Sequence, residues 1–456
     1  MGLVSFIFFF FFSVVLSLLL VAVSPSGGAV DKSCDAPFQG EHLNSSGLHL
    51  TLHHAHGPCS PFSSTPPLPF SEILRHDELR VQSLNSRLTN PKTAKPNKTP
   101  LLDSGPWSTS SINVPLTPGQ SIGVGNYVTR IGLGTPSKSY AVVVDTGSSL
   151  SWVQCRPCAV MCHPQQGPIF NPTASTSYQV SSCKSPECLG LQTATLNPSM
   201  CNKRNVCIYQ ASYGDGSYSV GYLSRDTLTL GTGQLSGFVY GCGQDNNGLF
   251  GASAGLVGLD KNRLSMLAQL SPKYGFTFSY CLPTSSSTGY LSIGGTGASR
   301  AAYTRMYDSR GLYALKLTSV VVNGRALGAS TGGTTIIDSG TVISRIQPAL
   351  YAALKQAVVR ALAGVPRAPA YSILDTCFKG SRRSVRALRV RLVFEGGAAL
   401  DLGASNVLYD VDGSTTCLAF ASASGVAIIG NTQQQTFTVI YDVGGSRIGF
   451  APGGCS

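Results

Sequence analysis

Apolar residues fall mostly in short runs separated by clusters of Gly, Ser, Thr and Asn. Gly125–Leu133 alternates apolar with polar or small positions, Gly134-Thr135-Pro136 turns the chain, and Tyr140–Val144 is an apolar run that ends on Asp145. Alternation puts one face of a strand in the core, whereas an unbroken apolar run suits a strand covered on both faces. Val206–Tyr213 alternates again, Gly214-Asp215-Gly216 supplies a turn, and Ser217–Leu223 resumes the pattern, which predicts a β-hairpin. Helical period is scarce. Ser71–Leu84 has it, with a charged face, and Pro348–Ala363 aligns Leu350, Ala353, Leu354, Ala357, Val358 and Leu362 on one side. The pattern predicts a mostly β protein.

The two ends of this pattern differ in character. Residues 3–23 are almost purely apolar and are followed by Pro25-Ser26-Gly27-Gly28-Ala29, which predicts a cleaved secretory signal over about 1–24. Residues 25–112 carry the Ser71–Leu84 helix, a polar Pro- and Lys-containing linker, and four histidines at 49, 53, 54 and 56. They also carry two glycosylation patterns, Asn44-Ser45-Ser46 and Asn97-Lys98-Thr99. This segment reads as a propeptide, and the histidines as solvated or structural residues. Strand-like patterning starts at Ile112 and divides into two expected lobes, 113–300 and 301–456.

Candidate chemistry comes from two stretches that read alike. Val142-Val143-Val144-Asp145-Thr146-Gly147-Ser148 and Ile336-Ile337-Asp338-Ser339-Gly340-Thr341 are each an apolar strand, then Asp, a hydroxyl residue, Gly and a second hydroxyl residue. A duplicated fold would bring the two carboxylates face to face. Two adjacent carboxylates cannot both ionise easily, so one pKa rises and they share a proton. The ionised member can then deprotonate a water while the protonated one donates to a substrate carbonyl. Gly147 and Gly340 let backbone N–H groups approach the carboxylates. Ser148 and Thr341 offer hydroxyls to hold their outer oxygens, and Thr146 and Ser339 can bond across the interface.

These motifs resemble the pepsin-like aspartic peptidases, in particular the plant nepenthesin and nucellin-like group. Asp145-Thr146-Gly147-Ser148 and Asp338-Ser339-Gly340-Thr341 match the two catalytic motifs, and Tyr213-Gly214-Asp215-Gly216-Ser217 matches the flap over bound peptide. Trp152 matches the tryptophan that hydrogen-bonds the flap tyrosine. Leu256-Val257-Gly258 and Ile428-Ile429-Gly430 match the apolar elements expected after each catalytic loop. The resemblance implies a bilobal fold with two related β-barrel-like lobes and a cleft between them. It implies an endopeptidase, acid-activated from a proenzyme, that takes an extended peptide or protein substrate. Water is the nucleophile, so no metal or organic cofactor is expected, and a monomer is expected. A catalytically inactive inhibitor of the same fold is the alternative, and a plastid nucleoid-associated, DNA-binding protease is a further one.

The chain has 14 cysteines, two before residue 60 and twelve between Cys155 and Cys455. Cys155-x-x-Cys158 followed by Cys162-His163 has some zinc-ligand character, but the spacing does not repeat as a paired zinc module would. A secreted chain would oxidise these thiols. The resemblance implies the pairs Cys155–Cys158, Cys162–Cys242, Cys183–Cys207, Cys188–Cys201, Cys281–Cys455 and Cys377–Cys417. Secretion to the extracellular space is expected, with vacuole or plastid as alternatives. The net charge of +12 lies wholly after residue 112, much of it between Lys379 and Arg391 with Arg382, Arg383, Arg386 and Arg389. This run suits a solvated strand edge or attraction to a polyanion such as acidic polysaccharide, membrane or nucleic acid.

Overall fold

The structure, a computed structural model, describes residues 48–55, 57, 59–61, 69–89, 101–102 and 127–455, apart from 214–215, 249, 295–299, 330–332 and 385–387. The apolar N-terminal run, both glycosylation patterns, Gly214, Asp215 and Arg386 lie outside these residues. Within them the chain is mostly β. Among the described residues the largest sheet has 16 strands and three smaller sheets have six, four and four.

The apolar run before Asp145 forms the strand Lys138–Asp145, buried from Tyr140 onward. Its two faces meet different cores. Val142 and Val144 pack with Val257, Phe278 and Tyr441, whereas Ala141 and Val143 pack with Trp152, Tyr209 and Leu256. Burying each such apolar side chain stabilises by about 1.5–3 kcal/mol, so the strand is pinned from both sides. It runs parallel to Gly255–Gly258, with Asp145 opposite Gly258, and Gly255–Gly258 in turn runs antiparallel to Trp152–Gln154. The second half repeats this plan. Thr335–Ile337 runs parallel to Ala427–Ile429, which runs antiparallel to Ser344–Ile346. Each Asp therefore stands at or just past the end of a strand that is paired in parallel with a segment from far along the chain.

The predicted hairpin is present as Cys207–Ser212 and Tyr218–Leu230, joined through Tyr213 and Gly216. Both predicted helices are present. Pro348–Ala361 buries Leu350, Leu354, Ala357 and Val358 as patterned, with Tyr351 also buried. The other is helix α1, Phe70–Thr89, longer than its apolar spacing suggested. The histidine-rich segment is the strand Leu48–His54, paired with Thr288–Ile293 and with the start of Tyr127–Leu133.

Four of the six implied disulfides are corrected. Cys281–Cys455 and Cys377–Cys417 form, but the others are Cys155–Cys242, Cys158–Cys162, Cys183–Cys201 and Cys188–Cys207. Burial explains the difference. Cys155 and Cys242 are fully buried, and the parallel register that sets Cys242 beside Val153 brings them together. Cys188 and Cys207 are likewise buried together, while Cys158, Cys162, Cys183 and Cys201 lie nearer the surface and join among themselves. Chain spacing does not reveal which cysteines face inward. Cys155–Cys242 closes a separation of 87 residues and Cys158–Cys162 one of four. Loop-closure entropy predicts that removing the first bridge by double Ala substitution costs roughly 2–3 kcal/mol more than removing the second. Denaturant titration of both variants checks this, and equal losses would contradict it.

Candidate active site

The two loops meet at their hydroxyl residues. Ser339 N–H donates to Thr146 Oγ1 at 2.9 Å, Thr146 N–H to Ser339 Oγ at 3.4 Å, and the two hydroxyls lie 3.2 Å apart. This reciprocal grip locks one turn to the other. Gly147 N–H donates to Asp145 Oδ1 at 3.0 Å and Gly340 N–H to Asp338 Oδ1 at 3.2 Å. Behind the second loop, Gln434 donates to the Asp338 carbonyl and Asn431 to the Ser339 carbonyl. Both carboxylates are almost wholly buried.

The outer hydroxyls are not equivalent. Thr341 Oγ1 donates to Asp338 Oδ2 at 2.6 Å, but the buried Ser148 hydroxyl has no hydrogen-bond partner among the described residues. The expected pair of outer-oxygen donors is thus present on one side only. Of the residues matched to a flap in the sequence, Tyr213 and Gly216 are among those described. Trp152 Nε1 donates to Tyr213 Oη at 2.7 Å, both are buried, and Phe250 packs edge-on against each ring. Gly216 takes a positive φ of 86°, which the turn needs and other residues rarely adopt.

The dyad is occupied by a side chain of α1. Arg80 Nη2 donates to Asp145 Oδ1 at 2.6 Å and to Asp338 Oδ1 at 2.8 Å, and its Nε donates to Asp338 Oδ2 at 2.8 Å. The guanidinium is fully buried. Burial opposes its charge, but the two carboxylates outweigh that and hold it protonated. Burial alone would also raise the Asp338 carboxyl, yet Arg80, with Thr341 and the Gly340 N–H, brings it below the usual carboxylate value. A Cβ on Gly147 or Gly340 would collide with the guanidinium, so both positions are glycine-dependent in this state.

Comparison with known proteins bears directly on this geometry. Two family models, described as Xylanase inhibitor N-terminal and Xylanase inhibitor C-terminal, match residues 127–295 and 312–452. An aspartyl protease family protein of Arabidopsis thaliana is 42% identical over 90% of this chain and 88% of its own. Aspartic proteinase nepenthesin-2 of Nepenthes gracilis is 34% identical over 76% of this chain and 81% of its own. The chain belongs to the pepsin-like aspartyl proteases of plants. Among solved structures, basic 7S globulin from soybean shares the fold with a TM-score of 0.58 at 20% identity, covering 72% of this chain and 91% of that one.

In this aspartyl protease the residues that sequence reasoning missed lie on α1 and opposite it. Arg87 donates to the Gly147 carbonyl at 3.0 Å and pairs with buried Asp260 at 3.3 Å. Asp77 accepts from the N–H groups of Val342 and Ile343 and pairs with Arg345 at 3.1 Å. Asn85 accepts from Val426 N–H at 2.8 Å. A signal did exist. Asp77, Arg80 and Arg87 share the helical face of Ile73, Leu74, Val81 and Leu84, so charges interrupt an apolar stripe. The basic run lies elsewhere, on the second half's surface. There Arg382 faces Asp410 at 3.4 Å and Arg391 faces Asp401 at 3.5 Å, and Lys379, Arg383 and Arg389 are exposed.

Removing one partner of a buried charge cluster typically costs about 3–5 kcal/mol. Arg80→Ala is therefore expected to lower amide-exchange protection across α1 by at least tenfold while the Lys138–Asp145 strand stays protected. Unchanged protection in α1 would show that apolar packing alone holds the helix.

Proposed function

We propose that this protein is an acid-activated proenzyme of an aspartic endopeptidase, with α1 as its intramolecular plug. The observation that carries this is the Arg80 guanidinium, which bonds both Asp145 and Asp338 where water and a scissile carbonyl would have to sit. Apolar residues hold the rest of α1. Phe70, Ile73 and Leu74 pack with Val342, Ile343, Leu374 and Tyr409, and Val81 and Leu84 pack with Leu312, Ile336 and Ile428.

Once Arg80 leaves, the two carboxylates share a single proton. The ionised one takes a proton from a water whose oxygen attacks the peptide carbonyl carbon. The protonated one donates to the carbonyl oxygen. The resulting diol collapses as the amide nitrogen gains a proton and the C–N bond breaks. Gly147, Ser148, Gly340 and Thr341 hold the carboxylates, and Tyr213, held by Trp152, lies over the bound peptide. The disulfide framework supports an oxidising, secretory destination. No helix among the described residues is long and apolar enough to cross a membrane.

The direction of the pH response follows from the charges on each contact. The Asp338 pKa lies below 3.8 while Arg80 is bound, so the docking strength of that pair is present above 3.8 and is lost as pH falls through the lowered value. Asp260 and Asp77 are both raised by burial, against the pull of Arg87 on the first and of Arg345 and two N–H groups on the second, so acid does not remove their contribution to docking. Release in acid is thus driven from the dyad.

Full-length protein should be inactive on a peptide library at pH 7 and gain activity as pH falls to 3–4. Asp145→Ala should lose activity by about 10²–10⁴-fold or more while keeping the wild-type circular dichroism spectrum. Arg87→Gln, with a weaker plug, should activate at a higher pH than wild type. Equal cleavage by wild type and Asp145→Ala would overturn the dyad assignment, and activity at pH 7 without processing would overturn the plug.

A further inference from the structure

Arg345 is a buried cation in the chain that follows the second catalytic loop, with its side chain only 2% exposed. Among the described residues, both carboxylates paired with it come from α1: Asp77 at 3.1 Å and Glu78 at 3.2 Å. Its other guanidinium nitrogen donates to the Ile343 carbonyl at 2.6 Å, which fixes the fork. Two further donors converge on Asp77. Val342 N–H reaches Oδ1 at 2.5 Å and Ile343 N–H reaches Oδ2 at 3.1 Å. Every group described against the Asp77 carboxyl is a donor. The neighbouring Thr341 holds catalytic Asp338, so these donors adjoin the dyad.

When α1 leaves the cleft, these donors keep their place but lose their acceptors. A guanidinium fork beside two parallel N–H groups fits a ligand with two acceptor oxygens. We propose that Arg345, with Val342 and Ile343 N–H, is a specificity-determining subsite that takes an acidic side chain of the peptide substrate, and that Asp77 occupies it in the precursor. This rests on the peptidase reading for its ligand. Beside the subsite lies an apolar surface of Leu374, Val411, Tyr371 and Tyr409, covered in the precursor by Phe70, Ile73 and Leu74. The preferred segment therefore combines a carboxylate with an apolar or aromatic neighbour. Asp77 and Arg80 are three residues apart on a helix, about 4.5 Å of rise. At about 3.3 Å per residue in an extended peptide, the acidic residue falls within roughly one to three positions of the scissile bond.

The test uses full-length protein cut at a site-specific protease sequence inserted between Thr89 and Tyr127, then acidified to release α1. Paired peptides carrying Glu or Gln at successive positions are compared at pH 5.5 and pH 3. At pH 5.5 one position should favour Glu over Gln by about tenfold or more, as expected for a hydrogen bond to a charged group. The preference should vanish at pH 3, where glutamate is protonated. Arg345→Gln should abolish it, and Arg345→Lys should keep part of it. No Glu preference at any position, or a preference that survives Arg345→Gln, would overturn the subsite. If the protein cleaves none of the peptides, the peptidase reading fails, and fluorescence anisotropy of the same peptides decides the subsite separately. Arg345-dependent discrimination of Glu from Gln would uphold it, and equal binding would overturn it.

Discussion

A single guanidinium between two buried carboxylates sets the state of this protein. Taking three charges out of water is costly, and their mutual attraction repays that cost only when geometry and hydrogen bonding are nearly complete. Here Arg80 spreads its donors over both carboxylates, and each carboxylate is also held by its own loop N–H. Such a cluster is a poor source of net stability but a sharp latch. Loss of one charge leaves the others buried and uncompensated, so neutralising a carboxylate weakens the whole contact.

The latch works only because the two loops are rigid with respect to each other. Each Asp ends a strand paired in parallel with a segment from far along the chain, Gly255–Gly258 in one half and Ala427–Ile429 in the other. The Thr146–Ser339 exchange then ties the loops across the interface. Parallel pairing by a distant segment costs loop-closure entropy, and that cost is offset by strands buried on both faces. The duplicated pattern thus builds one composite site rather than two separate ones.

Much of this was legible in the sequence because it depends on local rules. The two Asp motifs, the Tyr213 hairpin and both amphipathic helices follow from period and turn chemistry. The pairing of cysteines did not, since inward or outward orientation is settled by packing across the sheet. Nor did the role of α1. Spacing puts Asp77, Arg80 and Arg87 on the apolar face of the helix, but only the fold shows that Arg80 meets Asp145 and Asp338 across separations of 65 and 258 residues. The unbonded Ser148 hydroxyl is a similar case. The motif places it beside Asp145, but Arg80 takes the acceptor positions it would serve.

A helix occupies the space in front of Asp145 and Asp338, and the details show how it fits. The backbone N–H and C=O groups in the middle of a helix are satisfied within it, so only those at its ends, such as the Arg87 carbonyl that accepts from Arg310 Nη1 at 3.0 Å, can pair with groups around the helix. Side chains on α1 take over that task. Asp77 supplies the acceptor for Val342 and Ile343, Asn85 supplies it for Val426, and Arg87 donates to the carbonyls of Gly147 and Arg310. The cleft is thereby left without unsatisfied backbone at these points, although no strand lies in it. The same substitution keeps α1 away from the chemistry. What faces the dyad is a guanidinium with no acyl carbon to attack, and the mid-helix carbonyls near Arg80 remain committed to the helix's own hydrogen bonds. Occupancy by a helix therefore covers both carboxylates, satisfies the polar groups around them, and does so without placing a peptide carbonyl against them.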